Sequence, residues 1–182
     1  ALPILRYEIT ENIGVILIVK KILIISATND KNLVLAKELD NIISKMNVQT
    51  GLLCIQDLDL PLFDFEKVVN EDTINDLIDK LQQSSGFIIC APEYNGGVPP
   101  VLSNAITWIS VKSKHWRDAF NGKFALIGTH SGGDGNRFIT AFKSQLEYMG
   151  TNVLARTIVV SNDNTLDKKS ATKIIKSFVD II

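Results

Sequence analysis

Residues 90–108 read CAPEYNGGVPPVLSNAITW, and this stretch decides the fold class of the chain. It continues an apolar, uncharged run at 87–91, which predicts a strand buried on both faces. Pro92 ends that strand because proline cannot donate to a sheet ladder. Asn95-Gly96-Gly97 can take positive φ and turn sharply, and Pro99-Pro100 suits the first turn of a helix. A buried strand, a glycine loop and a helix in this order are typical of α/β sheets that bind flat, anionic cofactors.

The composition limits the classes of function. The chain has 182 residues, of which 46% are hydrophobic and 21% charged, as in a single soluble globular domain. A net charge of −1 at pH 7 gives no reason to expect nucleic acid or an anionic membrane as a partner. The two cysteines, Cys54 and Cys90, lie in or beside apolar runs. We therefore expect free buried thiols in a reducing compartment, the cytoplasm, and no metal site.

Apolar runs alternate with helical patterns along the chain. Strands are predicted at 22–25, 51–55, 86–91, 123–128 and 153–160. Helices are predicted at 33–46 with Asn32 as N-cap, at 72–83, from Pro99 to before Asn121, from the 129–137 loop to Met149, and at 167–179. Such alternation predicts one parallel sheet with helices on both faces.

The segment 92–108 resembles the NADPH-dependent FMN reductase family, whose pattern here is roughly P-E-Y-N-x-x-x-P-x-x-L-x-N-A-I-D-W. The matching positions are Pro92, Glu93, Tyr94, Asn95, Pro99, Leu102, Asn104, Ala105, Ile106 and Trp108, while Thr107 replaces the usual Asp. The resemblance extends from about Lys21 to the C-terminus. It implies a flavodoxin-like three-layer α/β sandwich, with a five-stranded parallel sheet in the order 2-1-3-4-5 and helices on both faces.

Chains of this family begin just before their first strand, which here lies near Lys20. The resemblance therefore implies a flavin-binding domain at 20–182 and an N-terminal extension at 1–19, which is either an extra strand or an artefact. The apolar run at 15–25 is interrupted by Lys20 and Lys21. Because two charges at its centre make a membrane span costly, we expect no membrane segment there.

The first of three loops is predicted to hold a phosphate, which the resemblance implies is that of FMN. The hydroxyls of Ser26 and Thr28, the Asn32 amide and the helix N-terminal N–H groups suit an anion. Ordinary capping and turn formation is the alternative interpretation of these residue types. The family has a loop like S-G-S-x-R-x-x-S-x-N here. This loop is shorter, lacks the arginine, and carries Asp30 beside Lys31.

The second loop is expected to take the flavin ring through Pro92, Glu93, Tyr94, Asn95 and Gly96. Backbone N–H groups at Asn95 and Gly96 can reach the ring edge because glycine allows close approach. Tyr94 offers an aromatic face, or is a core aromatic with its hydroxyl at the surface. Glu93 is interpreted from the residues as a solvated loop charge, and the resemblance implies a role through its backbone.

The third loop resembles the family's G-A-S-x-G-x-x-G-G segment, which implies that it borders the pyrimidine side of the flavin. Its predicted cofactor-binding residues are His130, Ser131, Gly132, Gly133 and Gly135. His130 is the one catalytic candidate, as a proton donor to a reduced substrate, or else it simply lines the pocket. Arg137 either attracts an NADPH phosphate or is an ordinary helix-surface arginine.

The function implied is an NAD(P)H-dependent, FMN-containing oxidoreductase. Its acceptor would be a quinone, an azo compound, chromate or free flavin. One alternative is a flavodoxin-type electron carrier, against which a net charge of −1 argues, since carriers dock through acidic surfaces. Another is a degenerate member without flavin, which Asp30 and the short first loop favour. The resemblance also implies a homo-oligomer, a dimer or tetramer, with 109–120 as the predicted contact.

Overall fold

The computed structural model of the chain describes residues 20–182, and the predicted extension at 1–19 lies outside the described residues. The strands are β1 (Lys21–Ser26), β2 (Gln49–Cys54), β3 (Gly86–Cys90), β4 (Phe124–Ser131), β5 (Asn152–Val153) and β6 (Ile158–Ser161). The helices are α1 (Lys31–Ile43), α2 (Glu71–Gln83), α3 (Pro100–Lys112), α4 (Asn136–Tyr148) and α5 (Lys168–Ile181), with a 3-10 turn at Gln56–Leu58. Each predicted helix and strand is found, and most bounds shift by a few residues, but α3 ends at Lys112 and not just before Asn121 as predicted.

The sheet is parallel throughout and runs in the order β2-β1-β3-β4, and β5 and β6 then pair with β4 one after the other along its length. The predicted flavodoxin-like order is therefore confirmed. The predicted fifth strand is divided, because β5 pairs with the start of β4 and β6 with its end. Between Ala125 and Gly128, β4 advances three residues while its neighbour advances five, from Val153 to Ile158. Two surplus residues leave the sheet there, as in a bulge.

Alternating side chains of the strands fill two apolar layers. On β1, Leu23 and Ile25 face the layer that α2, α3 and α4 cover, while Ile22 and Ile24 face the layer under α1 and α5. All four side chains are buried, as expected for a strand with helices on both sides. The predicted three-layer sandwich is confirmed.

The fourth strand is longer than predicted. The predicted third loop began at Thr129, but Thr129, His130 and Ser131 belong to β4, because β6 pairs with them. The neighbouring strand β3 ends at Cys90, opposite Gly128. β4 therefore projects three residues beyond β3 at the carboxyl edge of the sheet, and this projecting end becomes one wall of the crevice described below.

Two residues of the 92–108 pattern hold the long connection between β2 and α2. Asn104 accepts a hydrogen bond from the Phe63 backbone N–H (2.7 Å) and donates to the Pro61 carbonyl (2.9 Å). Trp108 donates from its indole N–H to the same carbonyl at 2.7 Å, and its ring meets Phe63 edge-on at 4.9 Å. These residues therefore fix a loop of the scaffold.

The described part of the chain also bears on the cysteine, metal and membrane expectations. Cys54 and Cys90 are both free and buried, as expected, and burial raises the pKa of Cys90 to about 12. Across residues 20–182, no group of three or more His, Cys, Asp or Glu side chains is arranged to hold a metal ion. None of the helices α1 to α5 combines the length and the apolar character that a bilayer crossing requires.

Candidate active site

An open cleft of about 200 Å³ lies at the carboxyl ends of the central strands. The three predicted loops all contribute to its lining, which consists of Thr28, Asp30, Lys31, Asn32, Pro92, Glu93, Tyr94, His130, Ser131, Gly132 and Asn162. Of the predicted cofactor-binding residues, Ser26, Asn95, Gly96, Gly133 and Gly135 lie outside that lining. The crevice is at the topological switch point of the sheet, where α/β proteins bind ligands.

Two predictions for the first loop are wrong in detail. Ser26 is fully buried and its hydroxyl donates to the Thr28 carbonyl at 2.6 Å, so it shapes its own loop and is not available to a ligand. Asn32 is not the N-cap of α1, since that position is Asp30, whose side chain makes no capping bond. Asn32 instead accepts from the His130 N–H (2.8 Å) and donates to the His130 carbonyl (2.9 Å), which ties the first loop to the projecting end of β4.

The beginning of α1 nevertheless keeps the character of an anion site. Across the described residues, the backbone N–H groups of Lys31 and Asn32 donate no hydrogen bond. Such unpaired N–H groups and the helix dipole favour negative charge. The Lys31 ammonium donates to the side-chain oxygen of Asn162 at 2.9 Å. Asn162 follows β6 in a polar turn that carries no motif, so its place in the cleft could not be predicted from the sequence.

The second loop contains a tight hairpin. Asn95 and Gly96 have φ values of 50° and 73°, and Tyr94 and Gly97 exchange backbone hydrogen bonds of 3.2 and 3.0 Å. Positive φ at both central residues defines a type I′ turn, for which Asn-Gly is the preferred pair. Gly97, for which the sequence also allowed a positive φ, does not have one. Inside the described range, the N–H groups of Asn95 and Gly96 are unused.

Tyr94 stands at the rim of the cleft. Its side chain is 50% exposed, so the interpretation as a core aromatic is wrong. An exposed ring beside a hairpin with unused donors can pack against a planar ligand.

The side chain of Glu93 makes the contact least expected from the sequence. One carboxylate oxygen accepts hydrogen bonds from the backbone N–H groups of Arg137 and Phe138, both at 3.0 Å, in the first turn of α4. The interpretation of Glu93 as a solvated charge is therefore wrong. A carboxylate at a helix N-terminus satisfies donors that the helix leaves unpaired and interacts favourably with the helix dipole.

A chain of hydrogen bonds joins the same residue to β4. The Glu93 N–H donates to the Ser131 hydroxyl at 2.8 Å, and that hydroxyl lies 2.8 Å from the Thr129 hydroxyl. Thr129 donates to the Ala91 carbonyl at 2.7 Å. Because a carbonyl can only accept, the Thr129 proton points to Ala91, and Ser131 must donate to Thr129. Each group in this buried chain is satisfied.

The glycines of the third loop fall into two kinds. Gly135 is buried with a φ of 65°, and a β-carbon there would lie 2.9 Å from the Thr129 methyl and 3.2 Å from the Ser131 hydroxyl oxygen. Gly132 and Gly133 are exposed, and a β-carbon on either would meet no atom of residues 20–182 within 4 Å. Gly135 therefore packs beneath the loop, while Gly132 and Gly133 border open space. In residues 20–182 the last two donate no backbone hydrogen bond.

His130 lies half-buried in the cleft wall. Burial lowers its pKa, the charge of Lys31 lowers it further, and Asp30 and Glu38 act in the opposite direction. A lowered pKa favours the neutral imidazole at neutral pH. This argues against His130 as a cationic proton donor.

The strand order and the loop-lined crevice define a flavodoxin-like α/β protein. Residues 20–165 match the family described as NADPH-dependent FMN reductase, so the chain belongs to that family.

Two curated relatives are informative. The chain is 32% identical over 116 residues to the NADH:(hydroxy)cinnamate reductase subunit CrdA of Vibrio ruber, a match that covers 62% of this chain and 54% of that protein. It is 40% identical over 55 residues to the quinone reductase of Escherichia coli K12, which covers 29% of each chain. The matches thus span about half or less of these relatives.

Solved structures agree on the fold. FerB, a flavoenzyme NAD(P)H:(acceptor) oxidoreductase from Paracoccus denitrificans, superposes with a TM-score of 0.69 at 20% identity, covering 89% of this chain and 94% of that chain. A flavodoxin from the domain Archaea gives a TM-score of 0.62 at 13% identity, covering 88% and 95% respectively. At these identities the likeness shows the fold alone.

Proposed function

We propose that this protein is an NAD(P)H-dependent, FMN-containing oxidoreductase that passes electrons to a small acceptor. The observation that carries the proposal is the set of unused backbone N–H groups on three loops around one cleft, in a chain of this family. Backbone donors of this kind suit a planar ligand with polar edges and a phosphate.

The phosphate end of FMN fits the beginning of α1. Lys31 supplies a positive charge, Lys31 and Asn32 supply free backbone N–H groups, and Thr28 lines the same part of the cleft. Asp30 lines it too, and its negative charge opposes a phosphate dianion. We therefore expect the protein to bind FMN more tightly than riboflavin because of the phosphate. The charge of Asp30 should make this difference in affinity smaller.

The ring end fits the other two loops. The second loop offers the unused N–H groups of Asn95 and Gly96, and on the third loop Gly132 and Gly133 border open space. When bound, FMN supplies the hydride chemistry, and the chain supplies orientation, hydrogen bonds and exclusion of water.

The reductant and the acceptor share the open mouth of the cleft in this proposal. Arg137 belongs to no ion pair among the described residues, and its side chain lies beside the hairpin, since a β-carbon on Gly96 would be 3.2 Å from the Arg137 Cδ. We propose that its free charge attracts a phosphate of NADPH. The acceptor is a quinone, an azo compound, chromate or free flavin. The free cysteines support a cytoplasmic location.

A titration followed by reduction tests this function. We expect the purified protein to bind one FMN per chain, more tightly than riboflavin, and the bound flavin to bleach rapidly when NADPH is added without oxygen. Addition of a quinone should restore the yellow colour. Protein that binds no added FMN would support the degenerate alternative, and stable yellow colour under NADPH would support the electron carrier.

A second copy of the chain is proposed to enclose the ligand. The cleft of about 200 Å³ is smaller than the roughly 300 to 1,000 Å³ of most ligand pockets, and it is open. Trp116 and Tyr148 are exposed, and the Arg117 guanidinium lies 4.2 and 5.4 Å from their ring centroids. Trp, Tyr and Arg are the residues most enriched at the centres of interfaces. Sedimentation at micromolar concentration should show dimers or tetramers, and a purely monomeric protein would contradict this part.

A further inference from the structure

Glu93 is the point at which the second and third loops are joined. Its carboxylate binds the first turn of α4, its backbone N–H binds Ser131, and Ser131 continues through Thr129 to Ala91. One residue thus contacts the helix that follows the glycine loop and the strand that precedes it. The hairpin begins at the next residue, Tyr94.

We propose that Glu93 is a positioning residue, whose side chain holds the 94–97 hairpin and the glycine loop at a fixed separation so that both present their free N–H groups to one flavin ring. This inference rests on the proposed function. Without the contact between Glu93 and α4, the hydrogen bonds that remain here among residues 20–182 run from the Glu93 N–H through the Ser131 and Thr129 hydroxyls.

The reach of the side chain is what matters in this proposal. A single carboxylate oxygen accepts both helix N–H groups, and a neutral amide oxygen also has two lone pairs for the same purpose. Glu93→Gln should therefore preserve the contact in a weaker form, since charge-assisted bonds are stronger than neutral ones. Glu93→Asp keeps the charge but loses one methylene of reach, so it should lose the contact.

The chain offers a matched control far from the cleft. Asp167 caps α5 in the same way, with one carboxylate oxygen accepting from the N–H groups of Lys169 (3.0 Å) and Ser170 (3.1 Å). Asp167→Ala removes a comparable pair of hydrogen bonds from another helix. This variant shows how much of any effect comes from losing a helix cap, as distinct from losing the position of the loops.

The experiment measures flavin affinity and thermal unfolding of flavin-free protein for each variant. Glu93→Ala and Glu93→Asp should weaken FMN and riboflavin about equally, by tenfold or more, because the loops concerned serve the ring and not the phosphate. Glu93→Gln should recover most of the affinity. Asp167→Ala should lower the thermal midpoint about as much as Glu93→Ala and leave both affinities unchanged.

Several results would overturn the inference while the proposed function stands. These are wild-type affinity in Glu93→Asp, a loss confined to FMN, a Glu93→Gln variant as weak as the alanine variant, or an equal loss in Asp167→Ala. If Glu93→Ala does not fold, the aspartate and glutamine variants decide the question. Wild-type protein that binds neither flavin would overturn both the function and the inference.

Discussion

Gly96→Val is expected to abolish flavin binding while the protein remains folded. The φ of 73° at this position lies in the left-handed region, which β-branched residues rarely adopt. A valine must leave the type I′ turn or hold it under strain, and either outcome moves the free N–H groups of Asn95 and Gly96. The space beside it is filled only by the flexible Arg137 side chain, 3.2 Å away. Stability should fall by about 1–3 kcal/mol, as for one strained turn residue.

The neighbouring glycine is the control for this variant. Gly97 does not have a positive φ, and a β-carbon there would lie 3.8 Å from the Tyr94 carbonyl oxygen, an ordinary contact. Gly97→Val should therefore keep most of its flavin. The measurement is flavin absorbance per folded chain in both variants. Full occupancy in Gly96→Val would remove the hairpin from the proposed site.

Gly135→Ala is expected to lower the free energy of unfolding by about 2–5 kcal/mol. A left-handed φ costs a non-glycine residue roughly 1–2 kcal/mol, and a methyl forced into a packed region typically costs about 1–3 kcal/mol. Here that methyl would lie 2.9 Å from the Thr129 methyl and 3.2 Å from the Ser131 hydroxyl. It would push apart two buried hydroxyls that satisfy each other, and flavin affinity should fall with them.

Gly122→Ala isolates the contribution of the backbone. Gly122 has a φ of 75°, close to that of Gly135, but a β-carbon there would meet no atom of the described residues within 4 Å. The loss of stability in Gly122→Ala should therefore come from backbone strain alone, about 1–2 kcal/mol. Chemical denaturation of both variants gives the two free energies of unfolding. If Gly135→Ala lowers the free energy of unfolding no more than Gly122→Ala does, the contact with the Thr129 and Ser131 side chains does not contribute to the loss.

The alternation of strands and helices and the positions of the three loops were predictable, because apolar runs and glycine-rich turns are local signals, whereas the strand order followed from the resemblance to the family. The roles of Asn32 and Glu93 were not predictable. Each looked like a local capping or surface residue, yet their partners lie 98 and 44 or 45 positions away along the chain. Sequence rules for caps and turns consider partners only a few residues apart. Partners that are distant along the chain become neighbours only in the folded structure.

The divided fifth strand shows a related limit. The run 153–160 reads as one strand because its apolar residues are nearly continuous. Pairing register depends on two strands together, and only the neighbour β4 reveals the two surplus residues. Asn162 was missed for the same reason, since its place in the cleft follows from where β6 ends.

The contacts of Asn104 and Trp108 change how the 92–108 pattern should be used as a signature. Both residues support the β2–α2 connection, and neither lines the cleft. Their loss would impair folding whether or not a cofactor binds, so a descendant that had abandoned its cofactor would still be under selection to retain them. The Asn95-Gly96 turn does not support the β2–α2 connection in this way. If the turn binds the flavin ring as proposed, it is therefore the part of the signature whose loss would mark a relative that no longer binds the cofactor.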